Sequence, residues 1–329
     1  MNKTFYLETG SADPAYNLAF EEFVQTHRRD GDYLILWQNQ NAVIIGRNQN
    51  AREEINATFV KEHGIKVIRR NTGGGAVYHD LGNLNYSFIT DAGDIAQRSA
   101  QAFTAPVVGA LRALGLDAEA SGRNDILISG RKVSGTAQHI IRGRILHHGT
   151  LLFESNPDMI AGALNPDPEK FISKSVKSVR SRVGNIRAFL PADMSLQGFW
   201  DYLKGALAAD GILPASLSAE ELAQVERLKA EKYDTWDWNF GLSPKFQRAV
   251  RNRYAGGSIE IQLSVADGNI RAIRILGDFL GLTGVEPLVA ALTDCPYRED
   301  AVAAVLDTFN LPEMLGSIEK HEFLETLFA

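Results

Sequence analysis

The feature that most constrains this chain is the run Arg69-Arg70-Asn71-Thr72-Gly73-Gly74-Gly75-Ala76-Val77-Tyr78-His79-Asp80, which follows directly on a short apolar segment at 65–68. Consecutive glycines lose more backbone entropy on folding than other residues, so a fold that keeps three in a row needs an unusual turn or a close approach of backbone to a ligand. Successive N–H groups can cradle anionic oxygens, and the flanking arginines offer forks of donors. After the loop, Leu84, Tyr86 and Phe88 alternate with Asn85 and Ser87, which is a strand pattern. The loop therefore joins strand to strand. A P-loop needs Gly-Lys-Ser/Thr opening a helix, and a dinucleotide fingerprint needs spaced glycines opening a helix, so both assignments fail. Taken alone, the run is equally a flexible hairpin loop with two solvated arginines.

At about 150 residues per domain, the 329 residues favour two domains. The chain is 45% hydrophobic and 22% charged, ordinary globular usage that excludes a disordered tail or a coiled coil. Forty acidic against 34 basic residues give a net charge of -6, so no nucleic acid and no anionic membrane is expected as a partner of the whole surface. The single cysteine, Cys295, cannot form an internal disulfide or supply a multi-thiolate zinc site. The first residues, Met1-Asn2-Lys3-Thr4-Phe5, lack the apolar core of a signal peptide, and no apolar run approaches the ~20 residues that span a bilayer. A cytoplasmic location is the expectation.

Asp13-Pro14 predicts a helix to about His27 with Leu18, Phe23 and Val24 on its buried face, and 33–37, 43–45 and 65–68 read as strands. Helical periodicity at 97–114 and 197–209 makes the first 240 residues a mixed α/β, or α+β, assembly. Ser218 with Glu221 forms a capping box. After Pro244 the character changes: 259–265 alternates, turns at Asp267-Gly268 and returns over 269–275, with helices expected at 286–292, 299–309 and 318–328. This predicts a large domain of mixed β-sheets and flanking helices over 1–244 and a small α+β accessory domain over 245–329.

Residues 121–137 read as a hairpin turning at Ser129-Gly130, with Lys132 opposite Leu127 and Ser134 opposite Asp125, which puts Lys132 and Asp125 diagonally on one face. A lysine there suits a phosphate or a developing oxyanion, although an exposed ion pair is the blander reading. His147 and His148 are adjacent in a strand pattern, so they face opposite ways and cannot share a metal. Residues 174–182 concentrate basic charge, either a steering patch for an acidic protein or a solvated edge.

Together, Arg69-Arg70 through Asn83, Gly122-Arg123-Asn124-Asp125, Arg131-Lys132-Val133-Ser134-Gly135 and His147-His148-Gly149-Thr150-Leu151 resemble the lipoate-protein ligases in order and spacing. The resemblance implies activation of lipoate with Mg-ATP to lipoyl-adenylate and pyrophosphate, then transfer to an acceptor lysine. It implies that Arg70, Gly73, Gly74, Gly75, Ala76, Val77 and Tyr78 form the adenylate loop, with Asn83 near the adenine. Lys132 would contact carboxylate and α-phosphate, and Arg70, His79 and His148 would line the lipoyl side. Asp125 is the candidate Mg2+ contact. Expected acceptors are lipoyl domains of 2-oxoacid dehydrogenase acyltransferase subunits and the glycine-cleavage H protein, with the enzyme a monomer. Cys295 lies outside every pocket motif, which argues against a cysteine acyl-enzyme. The alternatives are a non-catalytic lipoate carrier or sensor, and a ligase that needs a partner protein for transfer.

Overall fold

The computed structural model describes residues 3–328 apart from 50, 94–98, 123, 165–182, 208–210, 241–247 and 267. In chain order the first part runs β1 (Thr4–Glu8), α1 (Pro14–His27), β2 (Asp32–Trp37), β3 (Ala42–Ile45), α2 (Ala51–Glu54), α3 (Ala57–Glu62), β4 (Lys66–Arg69), β5 (Val77–His79), β6 (Asn83–Asp91) and α4 (Ala100–Ala113). It continues through β7 (Ala118–Ser121), β8 (Asp125–Ile128), β9 (Arg131–Ile141), β10 (Arg144–Leu152), α5 (Pro157–Ala163), α6 (Leu196–Ala206), β11 (Leu213–Pro214), α7 (Ala219–Leu228), a π-turn at Lys229–Tyr233 and α8 (Trp236–Asn239). Strands β12 (Arg248–Tyr254), β13 (Gly257–Ala266) and β14 (Asn269–Gly277) follow, then α9 (Glu286–Leu292), α10 (Glu299–Leu306), α11 (Leu311–Leu315) and α12 (Lys320–Phe328).

Eight strands form one mixed sheet in the order β11-β1-β2-β6-β10-β9-β8-β7, and β4-β3-β5 form a second, three-stranded sheet. Strand alternation sorts the side chains into layers. From β2, Leu34 and Leu36 join a core with Val107 and Leu111 of α4 and Phe199 and Leu203 of α6, while Tyr33, Ile35 and Trp37 face α1. Ala42 and Ile44 of β3 join that second core from the small sheet, and Val43 and Ile45 point away toward α2, α3 and α5. Helix α1 is thus packed between two sheets. This explains why ten of its residues are buried rather than one stripe, among them the polar Asn17, Glu21 and Gln25. The expected Leu18, Phe23 and Val24 are all in its core.

The capping box of Ser218 and Glu221 is made in both directions, and the hairpin of β13 and β14 is as expected, extended by an unforeseen third strand, β12. Arg248–Tyr254 reads as Arg-Ala-Val-Arg-Asn-Arg-Tyr, which shows no apolar alternation, and its side chains are partly exposed. The three strands and four helices of the tail enclose their own hydrophobic cluster, including Ile261, Phe279, Leu292 and Phe323. Position 244 and the basic stretch 174–182 fall outside the described residues. Among the described residues no helix is long and apolar enough to cross a membrane.

Candidate active site

A cavity of about 420 Å³ lies between the large sheet, the small sheet and the tail unit. Among its lining residues are Arg70, Gly74, Gly75, Ala76, Val77, His79, Asp125, Lys132 and His148. Nine of the residues singled out from sequence therefore meet in one place. Three do not line it. Gly73 packs beneath, against the carbonyl of Phe279. Tyr78 turns to the opposite face of β5, where its hydroxyl donates to Asn41 Oδ1 at 3.0 Å. Asn83 sits fully buried behind Asn85, donating to its Oδ1 at 3.0 Å, and it is Asn85 that reaches the cavity.

The glycine loop is built around the buried guanidinium of Arg70. Its Nη2 donates to the carbonyls of Gly73 at 2.6 Å and Gly75 at 2.9 Å, its Nη1 to Ile44 at 3.1 Å and its Nε to Thr72 Oγ1 at 2.9 Å. Arg69 likewise spends its donors on backbone, at Gly46, Arg47, Gln49, Trp238 and Asn239. Neither arginine holds a free fork for an anion. They fold the loop instead, and burial lowers both to about 10. Gly74 adopts φ +86, the left-handed region that favours glycine, and a Cβ on Gly73 would lie 2.7 Å from the Phe279 carbonyl. With the carbonyls turned onto Arg70, the amides of Gly75 and Ala76 make no hydrogen bond among the described residues. The Gly74 N–H donates to Phe279 O at 3.2 Å, so the tail unit touches the loop directly. Leu280 and Asp278 of the same segment complete the cavity wall.

Across the cavity, β8 and β9 turn at Ser129 and Gly130, both with positive φ as a two-residue hairpin requires. Lys132 pairs with Leu127 as expected, but Asp125 pairs with Gly135 rather than Ser134, because Val133 is an extra residue bulged out of the ladder. Asp125 stays on the face of Lys132, and the two meet at 2.7 Å with side chains 32% and 39% exposed. Small neighbours, Gly135, Thr136 and Thr150, leave space around the ammonium group.

The histidine pair divides as the strand pattern demands. His147 points into the apolar side, stacked on Phe103 at 5.1 Å, with both ring nitrogens unpartnered and its basicity pushed down to about 3 by burial. His148 faces the cavity side. Its Nε2 lies 2.8 Å from Thr72 Oγ1 and its Nδ1 3.0 Å from both oxygens of Glu21. The Glu21 carboxylate accepts from Nδ1–H, and Nε2 shares the second hydrogen bond with the Thr72 hydroxyl, which also accepts from Arg70. His79 accepts from Asn39 Nδ2 at 3.0 Å on Nδ1, which places its proton on Nε2, an atom with no protein partner. Burial, then the charge of Arg70, keeps it neutral, at about 3. Hydrogen-bond donors, one fixed cation, one accessible cation and the carboxylates of Asp125 and Asp278 thus surround a cavity with an apolar side formed by Leu18, Trp37, Ile44 and Val77.

Sequence reading missed Glu21, Trp37, Ile44, Asp278 and Leu280. A lone glutamate in a helix or a leucine in a loop carries no local signal. Cys295 packs in the core of the tail unit, is raised by burial, and is absent from the lining.

The apolar side of the cavity lies beside the glycine loop, with its open Gly75 and Ala76 amides, and the Lys132 ammonium. Residues 13–208 match the lipoyl protein ligase A/B catalytic domain, and 243–327 match the bacterial lipoate protein ligase C-terminus. The chain belongs to the lipoate-protein ligase family. It is 44% identical to lipoate-protein ligase LplJ of Bacillus subtilis over 96% of this chain and 97% of that one, and 38% identical to lipoate-protein ligase 1 of Staphylococcus aureus over 98% and 99%. In fold it is similar to P. falciparum LipL1 in complex with lipoate, with a TM-score of 0.80, 24% identity, and coverage of 98% and 97%. It is also similar to the bipartite lipoate protein ligase of Thermoplasma acidophilum, described with its E2 lipoyl domain (TM-score 0.65, 33% identity, 75% of this chain and 99% of that one). A lipoate-protein ligase A bound with ATP matches at TM-score 0.62 and 30% identity, covering 74% and 99%.

Proposed function

We propose that this chain activates lipoate with ATP to lipoyl-adenylate and then passes the lipoyl group to a lysine of a lipoyl-domain protein, in the cytoplasm and as a monomer. The observation that carries this reading is the convergence of Lys132, the Arg70-folded glycine loop and an apolar slot on one cavity. In the first step the lipoate carboxylate attacks the α-phosphorus and pyrophosphate leaves. In the second, the acceptor amine attacks the mixed anhydride and AMP leaves. Neither step asks the enzyme for a nucleophile. It needs charge and position.

Lys132 stands where both the carboxylate and the α-phosphate can reach it, half-exposed and, among the described residues, ion-paired with Asp125. The loop 73–78 supplies backbone for the adenylate, with Gly75 and Ala76 offering N–H groups, and Asn83 supports the adenine side through Asn85. His79 presents Nε2–H, and His148 forms part of the wall beside the lipoyl chain. Mg2+ arrives with ATP and takes one or two carboxylates plus phosphate oxygens and waters. Asp125, a cavity-facing carboxylate on the lysine hairpin, fits that demand, although among the described residues no group of three acidic, histidine or cysteine side chains could hold a metal alone. Bound there, the ion would neutralise charge on the phosphates.

The functional division is proposed at residue 244, with 1–244 holding both substrates and 245–329 covering the loop through Phe279 and Leu280. A carrier of free lipoate has no use for a cationic phosphate site, which disfavours that alternative. The reading is tested by incubating the full chain with ATP, Mg2+, lipoate and a purified lipoyl domain or H protein, and weighing the acceptor by mass spectrometry. Lipoylation dependent on all four supports it. An unmodified acceptor despite formation of lipoyl-adenylate would show that a partner is required for transfer.

A further inference from the structure

We infer that helix α1 positions the glycine loop through two consecutive carboxylates, the buried Glu21 acting on Thr72 through His148, and the partly buried Glu22 acting on Asn71 through Lys232 and Tyr233. The inference rests on the reading of 70–78 as the adenylate loop. Neighbouring helical residues diverge by about 100°, and Asn71 and Thr72, in the bend after β4, send their side chains to different partners. Two adjacent acids can therefore grip two adjacent loop residues from both flanks.

The first arm runs from Glu21, 3% exposed, to His148 Nδ1 at 3.0 Å, from His148 Nε2 to Thr72 Oγ1 at 2.8 Å, and from Thr72 to Arg70 Nε at 2.9 Å. Ser87 also donates to Glu21 and receives the Trp37 indole N–H at 2.8 Å, which fixes the carboxylate from behind. The second arm is a closed ring. Lys232 Nζ donates to Glu22 at 2.8 Å and to Asn71 Oδ1 at 2.8 Å, while Asn71 Nδ2 donates to the Tyr233 hydroxyl at 2.9 Å, which donates to Glu22 at 2.7 Å. Lys232 and Tyr233 come from the π-turn Lys229–Tyr233, an irregularity often found at functional sites, and Lys232 also lies 4.1 Å from the Trp238 ring centre. The first arm links a buried acid, Glu21, to a buried cation, Arg70, and the second pairs the partly buried Glu22 with the partly buried Lys232, so no charge is left alone.

The consequence falls on Arg70. With its Nε held by Thr72, its Nη2 can collect the Gly73 and Gly75 carbonyls, and the loop amides are left for the ligand. A loop ordered before ATP arrives spares the nucleotide that entropy cost. Glu21 and Glu22 are positioning residues, since neither lines the cavity and both act through other side chains.

The test uses the full chain with Glu21→Gln and Glu22→Gln, alongside Thr72→Val and Tyr233→Phe, each of which deletes one hydroxyl and keeps the inference falsifiable if a glutamine variant fails to fold. Hydrogen exchange by mass spectrometry reads the peptide 70–78 without any turnover. Steady-state pyrophosphate exchange reads KM for ATP and for lipoate. The expected result is faster exchange confined to the loop peptide in both arms, and a KM for ATP raised about tenfold, the worth of one hydrogen bond to a charged group, with a smaller rise in KM for lipoate through His148 and a lowered melting temperature for the buried Glu21 variant. Unaltered loop exchange overturns the inference. So does a loss spread over the whole chain with both KM values rising equally, which marks general destabilisation. Loosening by one arm alone overturns the two-arm claim. If the wild type forms no adenylate, the ligase reading fails, and the exchange data still decide whether the acids position the loop.

Discussion

The glycine loop and the lysine hairpin face each other across one cavity and hold their cations in opposite ways. Arg70 is buried with four donor contacts to the protein, three of them to carbonyls, and its charge is spent on folding. Lys132 is half-exposed, with Asp125 as its ion-pair partner, and its charge is available to a ligand. The difference separates the cation that shapes the site from the cation that works in it. A guanidinium suits the first task, because its planar fork satisfies several carbonyls at once, and a flexible ammonium suits the second.

Substitution at the two positions should break the molecule in different places. Arg70→Met leaves the Gly73, Gly75 and Ile44 carbonyls without their donor and the Glu21 arm without its cation. It should cost about 3–5 kcal/mol and lower the melting temperature on the order of 10 °C by calorimetry, with activity lost as a consequence. Lys132→Ala should lower adenylate formation about 100- to 1,000-fold while moving the melting temperature by no more than about 2 °C, since exposed ion pairs contribute little. A stable, inactive Arg70 variant would collapse the contrast.

Acidification probes the framework side. His79, His147 and His139 are held down to about 3, 3 and 4 by burial. Their unfolded forms charge near pH 6.5, so between that value and about 4 the unfolded chain binds more protons, and stability falls as pH falls. Each contributes about 1.4 kcal/mol per pH unit across that window. His147→Leu should therefore flatten the acid limb of a melting-temperature profile without touching the cavity, and an unchanged limb would remove His147 from the explanation.

The smallest effect is expected at the basic stretch. Reversing Lys177 and Arg180 to Glu should slow transfer to an acidic lipoyl domain severalfold, through a lower encounter rate, and spare lipoyl-adenylate formation. Equal loss of both steps would rule out an acceptor-steering role.

What could be read from the sequence was local. The glycine run, the Ser129-Gly130 turn, the face shared by Lys132 and Asp125, and the opposed histidines all follow from spacing within one or two strands. The Val133 bulge escaped because one added residue changes no pattern in the chain. The partners of the loop escaped for a different reason: Glu21 meets His148 and Asn71 meets Lys232 across sequence separations of 127 and 161 residues. Nor does composition reveal that an apparently amphipathic α1 is enclosed on both sides, with its polar Glu21 and Gln25 placed inside.

The most direct test of the account is lipoate-dependent exchange of labelled pyrophosphate into ATP, run without any acceptor, on the wild type and on Lys132→Ala. The account predicts exchange in the wild type that is lost in a variant with the same melting temperature. Exchange surviving at the wild-type rate without Lys132, or none in a folded wild type that binds lipoate, would contradict it.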